Sequence, residues 1–224
     1  MKKISIALDG PAASGKSTTA RLLAKKLSYI YIDTGAMYRA ATLAVIKENI
    51  DPSDEEKTAA CIRNSRISIA LQNGEQHTFL NDEDVSSQIR TPEINNIISV
   101  ISSYAGVRNV ITAQQRKLAG QGGVVMDGRD IGTVVLPDAE LKVFMSASLQ
   151  ERAKRRLKEL QEQGVNISLS EVEEEIAKRD QIDSSRSQAP LKKASDAREL
   201  DNSAMTIEEQ VEVIYGWVQK ILNK

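Results

Sequence analysis

Short, mostly apolar runs alternate along this chain with longer stretches in which apolar residues return every three or four positions. Ile4 to Leu8, Tyr29 to Ile32, Val124 to Met126 and Leu141 to Met145 are runs of the first kind, the pattern of strands buried on both faces. Asp9, Asp33 and Asp127 close the first three. Arg198 to Asp201 adds a last, short strand. Helical spacing covers Thr18 to Leu27, Ala36 to about Glu48, about Ser170 to Asp183, and a final stretch ending near Leu222. Ser53 with Glu56, Ser148 with Glu151, and Thr206 with Glu209 read as capping boxes, predicting helices to about Arg63, Gln163 and Leu222. Strands alternating with helices predict a doubly wound, five-stranded parallel sheet.

Residues 65–87 break that rhythm. Ile67, Ile69 and Leu71 alternate with Ser68, Ala70 and Gln72, Asn73-Gly74 is a hairpin turn, Thr78-Phe79-Leu80 is the return strand, and Asn81-Asp82 a second turn. A small antiparallel β subdomain is therefore expected as an insertion. Thr91-Pro92 starts a helix, with threonine as cap and proline at the first helical position. Helical spacing runs on, with a break near Ala105-Gly106, to about Ala119, and Gly122-Gly123 ends the region.

Between the first strand and the first helix lies Gly10-Pro11-Ala12-Ala13-Ser14-Gly15-Lys16-Ser17, a complete G-x-x-x-x-G-K-S followed by Thr18. Strand, glycine loop and helix in that order form a phosphate-binding P-loop. Backbone N–H groups of such a loop converge on an anion, and the helix N-terminus adds partial positive charge. Lys16 carries charge to the β- and γ-phosphates, and the Ser17 hydroxyl can ligate Mg2+. The chain is expected to bind a nucleoside triphosphate.

Bulk properties narrow the field. The 224 residues are 41% apolar and 27% charged, with a net charge of −1. That is enough for one α/β domain with an insertion, and it does not suggest a nucleic-acid binder. A lone cysteine, Cys61, excludes an internal disulfide and a zinc framework and is expected to be inert. His77, the only histidine, sits in the hairpin stretch, a poor place for a general base. The first apolar run is interrupted by Asp9 and no run approaches a membrane span, so no membrane association and a cytoplasmic location are expected.

Three polar groupings bear on chemistry. Asp127-Gly128-Arg129-Asp130 follows a buried strand, where an acidic side chain beside a P-loop can hold Mg2+ or its water shell. Thr34-Gly35-Ala36-Met37-Tyr38-Arg39 opens a helix, with Arg39 near the face of Thr34 and Gly35, a place where a hydroxyl and a helix N-terminus can meet an anion. Arg152, Arg155 and Arg156, and then Arg179, Asp183 and Arg186, fall on helices. The latter three share one face by their i, i+4 and i+7 spacing. Taken alone, such charge runs are also what a solvated, salt-bridged helix face looks like. Phosphoryl transfer between two nucleotides, however, gathers several negative oxygens and needs arginines near the site.

With these segments assembled, the chain resembles the bacterial cytidylate kinases of the nucleoside monophosphate kinase group, from about Ile4 to Trp217. The matching segments are Asp9 to Ser17, Asp33 to Arg39, Asp127 to Val135, Pro137-Asp138-Ala139, Arg179-Asp180 and Pro190-Leu191. The resemblance implies one P-loop kinase domain over 1–224. Within it, 34–105 is a monophosphate-binding subdomain with the inserted sheet near 65–87, 152–168 is a helical lid, and the remainder is the core. It further implies transfer of the γ-phosphoryl of ATP to CMP or dCMP with Mg2+, by a protein acting as a monomer. By position, Thr34, Arg39, Ser99, Arg108, Asp127, Arg129, Asp130, Arg179, Asp183 and Arg186 match the CMP-site residues. Ser99, Arg108 and Asp130 would face cytosine, Arg39, Arg129 and Arg179 the α-phosphate, and Asp183 and Arg186 the sugar. Some members carry serine where this chain has Thr34, which keeps the hydroxyl. Uracil has a carbonyl where cytosine has its amine, so it would meet the Asp130 carboxylate unpaired.

The expected catalytic residues are Lys16, Arg129, Arg179 and the lid residue Arg155. The acceptor is already an anionic phosphate oxygen, so no covalent nucleophile or strong base is required. A different small-molecule P-loop kinase, acting on AMP, UMP or shikimate, and a nucleotide-dependent switch are the alternatives. The chain lacks the Asn-Lys-x-Asp motif of guanine-reading switches.

Overall fold

The computed structural model describes residues 3–72, 75–162 and 164–223. The expected Asn73-Gly74 turn and the Gln163 helix end lie outside the described residues. In chain order the elements are β1 (Ser5–Asp9), α1 (Lys16–Leu27), β2 (Ile30–Asp33), α2 (Thr34–Lys47), α3 (Glu55–Asn64), β3 (Ile67–Gln72), β4 (Glu75–Leu80) and β5 (Glu83–Asp84). There follow α4 (Pro92–Ile101), α5 (Ala105–Ala119), β6 (Val124–Gly128), β7 (Leu141–Ser146), α6 (Leu149–Glu162), α7 (Leu169–Ser185), β8 (Arg198–Asp201) and α8 (Ile207–Leu222). Five strands form the expected parallel sheet in the order β2-β6-β1-β7-β8, and three form an antiparallel sheet in the order β3-β4-β5.

The chain divides into two compact units, one comprising Met1–Tyr31 and Gly122–Lys224, the other Ile32–Gln121. In the first, β1 is central, pairing Ile6 with Val125 of β6 and with Leu141 of β7. Its side chains Ile6 and Leu8, and Ile4 just before it, are fully buried with Leu23 of α1 and Ile214 and Val218 of α8. Burial of each such side chain is worth about 1.5–3 kcal/mol. α8 begins in the capping box the sequence predicts: Glu209 N–H donates to Thr206 Oγ1 at 3.2 Å and Thr206 N–H to Glu209 Oε2 at 2.8 Å. Val211, Ile214 and Val218 then form its buried stripe, the i, i+3, i+7 spacing of an amphipathic helix.

The second unit packs α2–α5 with the small sheet. Ile67 pairs with Leu80 and Ile69 with Thr78 in antiparallel register. The expected turn after β4 is present: Asn81 and Asp82 have φ of 49° and 71°, the left-handed conformations these residue types tolerate. His77 Nδ1 lies 2.6 Å from Asp84 Oδ2 across β4 and β5, in keeping with a structural role. The Cys61 thiol is pushed up in pKa by burial, which keeps it unreactive.

Local details differ from expectation. α3 is capped by Asp54, whose carboxylate accepts from Lys57 N–H at 3.0 Å, not by Ser53. Ser53 is held in a turn by Asp51, which leaves the neighbouring carboxylate to meet the helix dipole. The Ser148 hydroxyl does cap α6 through Glu151 N–H at 3.3 Å, but Ser148 N–H donates to Ser203 Oγ and Glu151 pairs with Lys154. The reciprocal half of that box is replaced. A full capping box, Ser168 with Glu171, opens α7 instead. The break between α4 and α5 falls at residues 102–104, just before Ala105. Among the described residues no helix is long and apolar enough to cross a membrane.

Candidate active site

β1 delivers the chain directly into the glycine loop, and backbone geometry dictates its sequence. A Cβ on Gly10 would lie 2.3 Å from the Met145 carbonyl oxygen, so no larger residue fits. Gly15 takes φ +83° as the N-cap of α1, and Ala13 has φ 56°. Alternation of left- and right-handed residues aims successive N–H groups at one concavity. α1 starts at Lys16, two residues earlier than its apolar spacing shows, because Thr19 N–H bonds the Gly15 carbonyl at 3.1 Å. The Ser14 hydroxyl, inside this loop, is buried without a hydrogen-bond partner.

Lys16 is buried, and its Nζ donates to the Pro11 carbonyl at 3.0 Å, spanning the loop. Burial first, then the charge of Arg129, lowers its pKa from 10.5 to about 7, with Arg179 acting in the same direction. Next to it, Ser17 Oγ donates to Asp127 Oδ2 at 2.7 Å, and Tyr31 Oη to Asp127 Oδ1 at 2.8 Å. Ser17 and Asp127 are thus brought together at the end of β6 and the start of α1.

The arginines converge on a carboxylate. Arg129, just past β6, donates from Nε to Asp183 Oδ2 at 2.8 Å, and Arg186 from Nη2 to Asp183 Oδ1 at 2.5 Å. Asp183 on α7 is buried. Burial pushes its pKa up, but the flanking Arg129 and Arg186 outweigh burial and hold it below the usual carboxylate range. Arg179, one turn earlier on α7, is half-buried, and its charge acts on both Lys16 and Asp183. This face of α7 is therefore a charge cluster over the loop and not a solvated surface. Asp130 is buried beside it.

Three supporting residues escaped the sequence reading. Asp9, read only as the close of an apolar run and the first residue of a matching segment, accepts Ile131 N–H at 2.8 Å and Gly132 N–H at 2.7 Å, fixing the turn that follows Asp130. Burial raises the Asp9 pKa from 3.8 to about 6. Asn202 and Gln210, fully buried, form the second support. Asn202 Nδ2 donates to the Ser14 carbonyl at 2.7 Å and to Gln210 Oε1 at 3.0 Å. Arg155 joins this network, donating to the Asn202 carbonyl at 2.7 Å. It also borders the loop: a Cβ on Gly15 would lie 3.7 Å from Arg155 Nη1. Arg156 pairs with Glu159 on the exposed side of α6. No local pattern marks an asparagine after a strand as a loop support.

The remaining candidates lie in the second unit. α2 is capped by Asp33, which accepts Ala36 N–H at 2.9 Å, so Thr34 is its first residue and is buried. A Cβ on Gly35 would lie 3.2 Å from Arg39 Nη1, so Arg39 does fold back over the helix start. Its Nη2 reaches Asn95 Oδ1 at 3.5 Å. Arg108 is buried over the Tyr38 ring and donates to the Ser102 carbonyl at 3.0 Å. Ser102 Oγ in turn donates to the Ser99 carbonyl, so Ser99 and Arg108 lie in one bonded group.

The donor set suits a magnesium ion. The Ser17 hydroxyl and the Asp127 carboxylate are hard oxygen ligands side by side. Among the described residues no group of three or more His, Cys, Asp or Glu side chains could enclose a metal. Mg2+ keeps most of its water and phosphate ligands and needs only one or two from protein.

The family model described as cytidylate kinase matches residues 6–220. The chain is 51% identical to the cytidylate kinase of Bacillus thuringiensis (strain Al Hakam) over 223 residues, covering 100% of this chain and 99% of the relative. It is equally similar to the cytidylate kinases of Bacillus cereus (strain AH187) and Bacillus anthracis (strain CDC 684 / NRRL 3495), with the same coverage. In fold it resembles a shikimate kinase from Bacteroides thetaiotaomicron, with TM-score 0.51, 14% identity, and 97% and 99% of the two chains covered. An uncharacterized protein from Eubacterium ventriosum ATCC 27560 gives TM-score 0.54 at 14% identity, covering 98% and 99%. A glycine loop with its buried lysine, an arginine cluster around one carboxylate, and a family match across nearly the whole sequence agree: the chain belongs to the cytidylate kinase family.

Proposed function

We propose that this chain transfers the γ-phosphoryl group of ATP to CMP and dCMP, giving ADP with CDP or dCDP. The observation that carries the reading is Lys16, buried in the glycine loop within the electrostatic reach of Arg129 and Arg179, in a member of this family. A phosphate oxygen of the acceptor attacks the γ-phosphorus, the bond to the β-phosphate oxygen breaks, and ADP leaves with the electron pair. No side chain has to remove a proton from the acceptor, so rate enhancement comes from positioning and charge. Gly10 to Thr18 hold the triphosphate. Lys16, Arg129, Arg179 and Arg155 stabilise the transferring group. Mg2+ would be held by Ser17, with Asp127 beside it, and when bound supplies charge neutralisation at the phosphate oxygens.

In this reading the acceptor is bound by Thr34, Arg39, Ser99 and Arg108 together with Asp127, Arg129, Asp130, Arg179, Asp183 and Arg186. Asp130 accepts the cytosine amine and Arg108 donates to the ring. The Asp183 ion pairs support it: they hold Arg129 and Arg186 without using a substrate. Residues 34–105 form the acceptor-binding subdomain, 152–168 the lid, and the remainder the core. The enzyme works as a monomer in the cytoplasm. A coupled ADP-release assay with CMP, dCMP, UMP and AMP is expected to show preference for the cytidine nucleotides, and Asp130→Asn to narrow the CMP-to-UMP ratio by at least about tenfold. A preference for AMP or UMP overturns the substrate assignment, and an unchanged ratio in the variant overturns the role of Asp130.

Lys16 gives a second test. Without ligand its pKa is about 7, so at pH 8 it is largely neutral. The phosphate charges raise its pKa on binding, so the complex takes up about one proton per ATP at pH 8. The uptake shrinks below pH 7, where the free chain is already protonated. Calorimetry in buffers of different ionisation enthalpy measures it directly; no uptake at pH 8 means that Lys16 is already protonated in the free chain.

A further inference from the structure

The backbone at Ala12, in the first half of the glycine loop, is gripped at both of its flanking peptide units by charged side chains. Its N–H donates to Asp180 Oδ1 at 3.0 Å, and its carbonyl accepts from Arg152 Nη1 at 3.0 Å. The same Nη1 donates to Asp180 Oδ2 at 2.5 Å, closing the triangle, and Arg152 Nε is tethered to the Ala147 carbonyl at 3.0 Å. The Arg152 side chain is 9% exposed and that of Asp180 21%. Beside them, the Ala12 side chain packs against Ala153 of α6 and Val172 and Ile176 of α7. Two successive peptide units of the loop are thereby built into the α6–α7 pair.

Stability is a weak reason for this arrangement. A buried ion pair seldom outperforms apolar packing of the same volume, and α6 and α7 already share an apolar cluster. What an apolar pair lacks is direction. The carboxylate can hold the N–H of the Pro11–Ala12 peptide and the guanidinium the carbonyl of the Ala12–Ala13 peptide, which fixes the two planes relative to each other. The pairing also solves an electrostatic problem: a lone carboxylate next to a triphosphate would repel it, whereas the Arg152–Asp180 pair is neutral as a unit. We infer that Arg152 and Asp180 are positioning residues that hold the two peptide units on either side of the Ala12 Cα, and with them its φ and ψ, and so preorganise the loop for MgATP. The inference rests on the reading of this loop as the ATP site.

The test uses Arg152→Lys, which conserves charge but loses the fork, and Asp180→Asn, which conserves shape. MgATP affinity is measured by calorimetry and KM for both substrates by steady-state assay, well below each variant's melting temperature. Both variants are expected to raise the Kd and KM for MgATP about tenfold, the loss of a charge-assisted hydrogen bond, while KM for CMP stays within about twofold. A purely structural role would lower the melting temperature and the active fraction but leave KM for MgATP unmoved, and that result overturns the inference. Tighter MgATP binding by Asp180→Asn, as expected if Asp180 were merely a repelling charge, overturns it too. Wild-type chain that binds no MgATP overturns the functional reading itself, which separates the two failures.

Discussion

Lys16→Ala is expected to lower kcat for CMP phosphorylation by about 10²- to 10³-fold, the usual cost of deleting one preorganised electrostatic donor. The ammonium bridges the loop to the Pro11 carbonyl at 3.0 Å, so its position is set before substrate arrives. It is the one charge that sequence and structure both place in the loop itself. Its removal also relieves a cost, because burial and the neighbouring arginines disfavour the protonated form. The variant should therefore fold at least as well as the wild type. A melting temperature at or above the wild-type value with a collapsed kcat is the signature; a kcat within a few-fold of wild type refutes the role.

Asp183→Ala is expected to destabilise the fold by about 3–5 kcal/mol, the cost of breaking a buried ion pair from one side. The substitution takes the carboxylate from Arg129 and Arg186, whose side chains are 17% and 9% exposed, and Leu191 N–H still bonds the Asp183 backbone carbonyl, so the loss is confined to the carboxylate. Urea denaturation measures it. The pH dependence follows from the sign of the shift. Asp183 has a folded-state pKa below its ordinary value, so its contribution is fully present above about pH 4 and is lost only as pH falls through the lowered value. The carboxylate's own ionisation adds no pH dependence from pH 6 to pH 8; any change of the gap there comes from Lys16, whose pKa Asp183 helps to hold up. A loss below about 1 kcal/mol would mean that the arginines find water or other partners on their own.

Four strands of the parallel sheet were readable because each is a short, mostly apolar run; β8, Arg-Glu-Leu-Asp, buries only Leu200, and the β2 run leaves Ile30 exposed, so the pattern of burial on both faces does not hold for these two strands. The glycine loop was readable because its residues are chosen by backbone geometry, as the Gly10 approach to Met145 makes plain. The charge cluster was readable in part: helical spacing puts Arg179, Asp183 and Arg186 on one face, but only the fold brings Arg129 to Asp183 from 54 residues away. Asn202 and Gln210 were invisible for the same reason. Each is an ordinary polar residue whose partner, the Ser14 carbonyl or Thr19 hydroxyl, is nearly two hundred positions earlier. The mistaken cap at Ser53 was a local competition, which Asp51 decided by capturing the serine.

The buried Asn202–Gln210 pair has a consequence for biosynthesis. The glycine loop is translated long before its support, because the Ser14 carbonyl is secured by the side chain of Asn202, nearly two hundred positions later in the chain. A ribosome-bound chain that has emerged only through α7 carries the glycine motif without its anchor, and finishes the loop once β8 and α8 have been released.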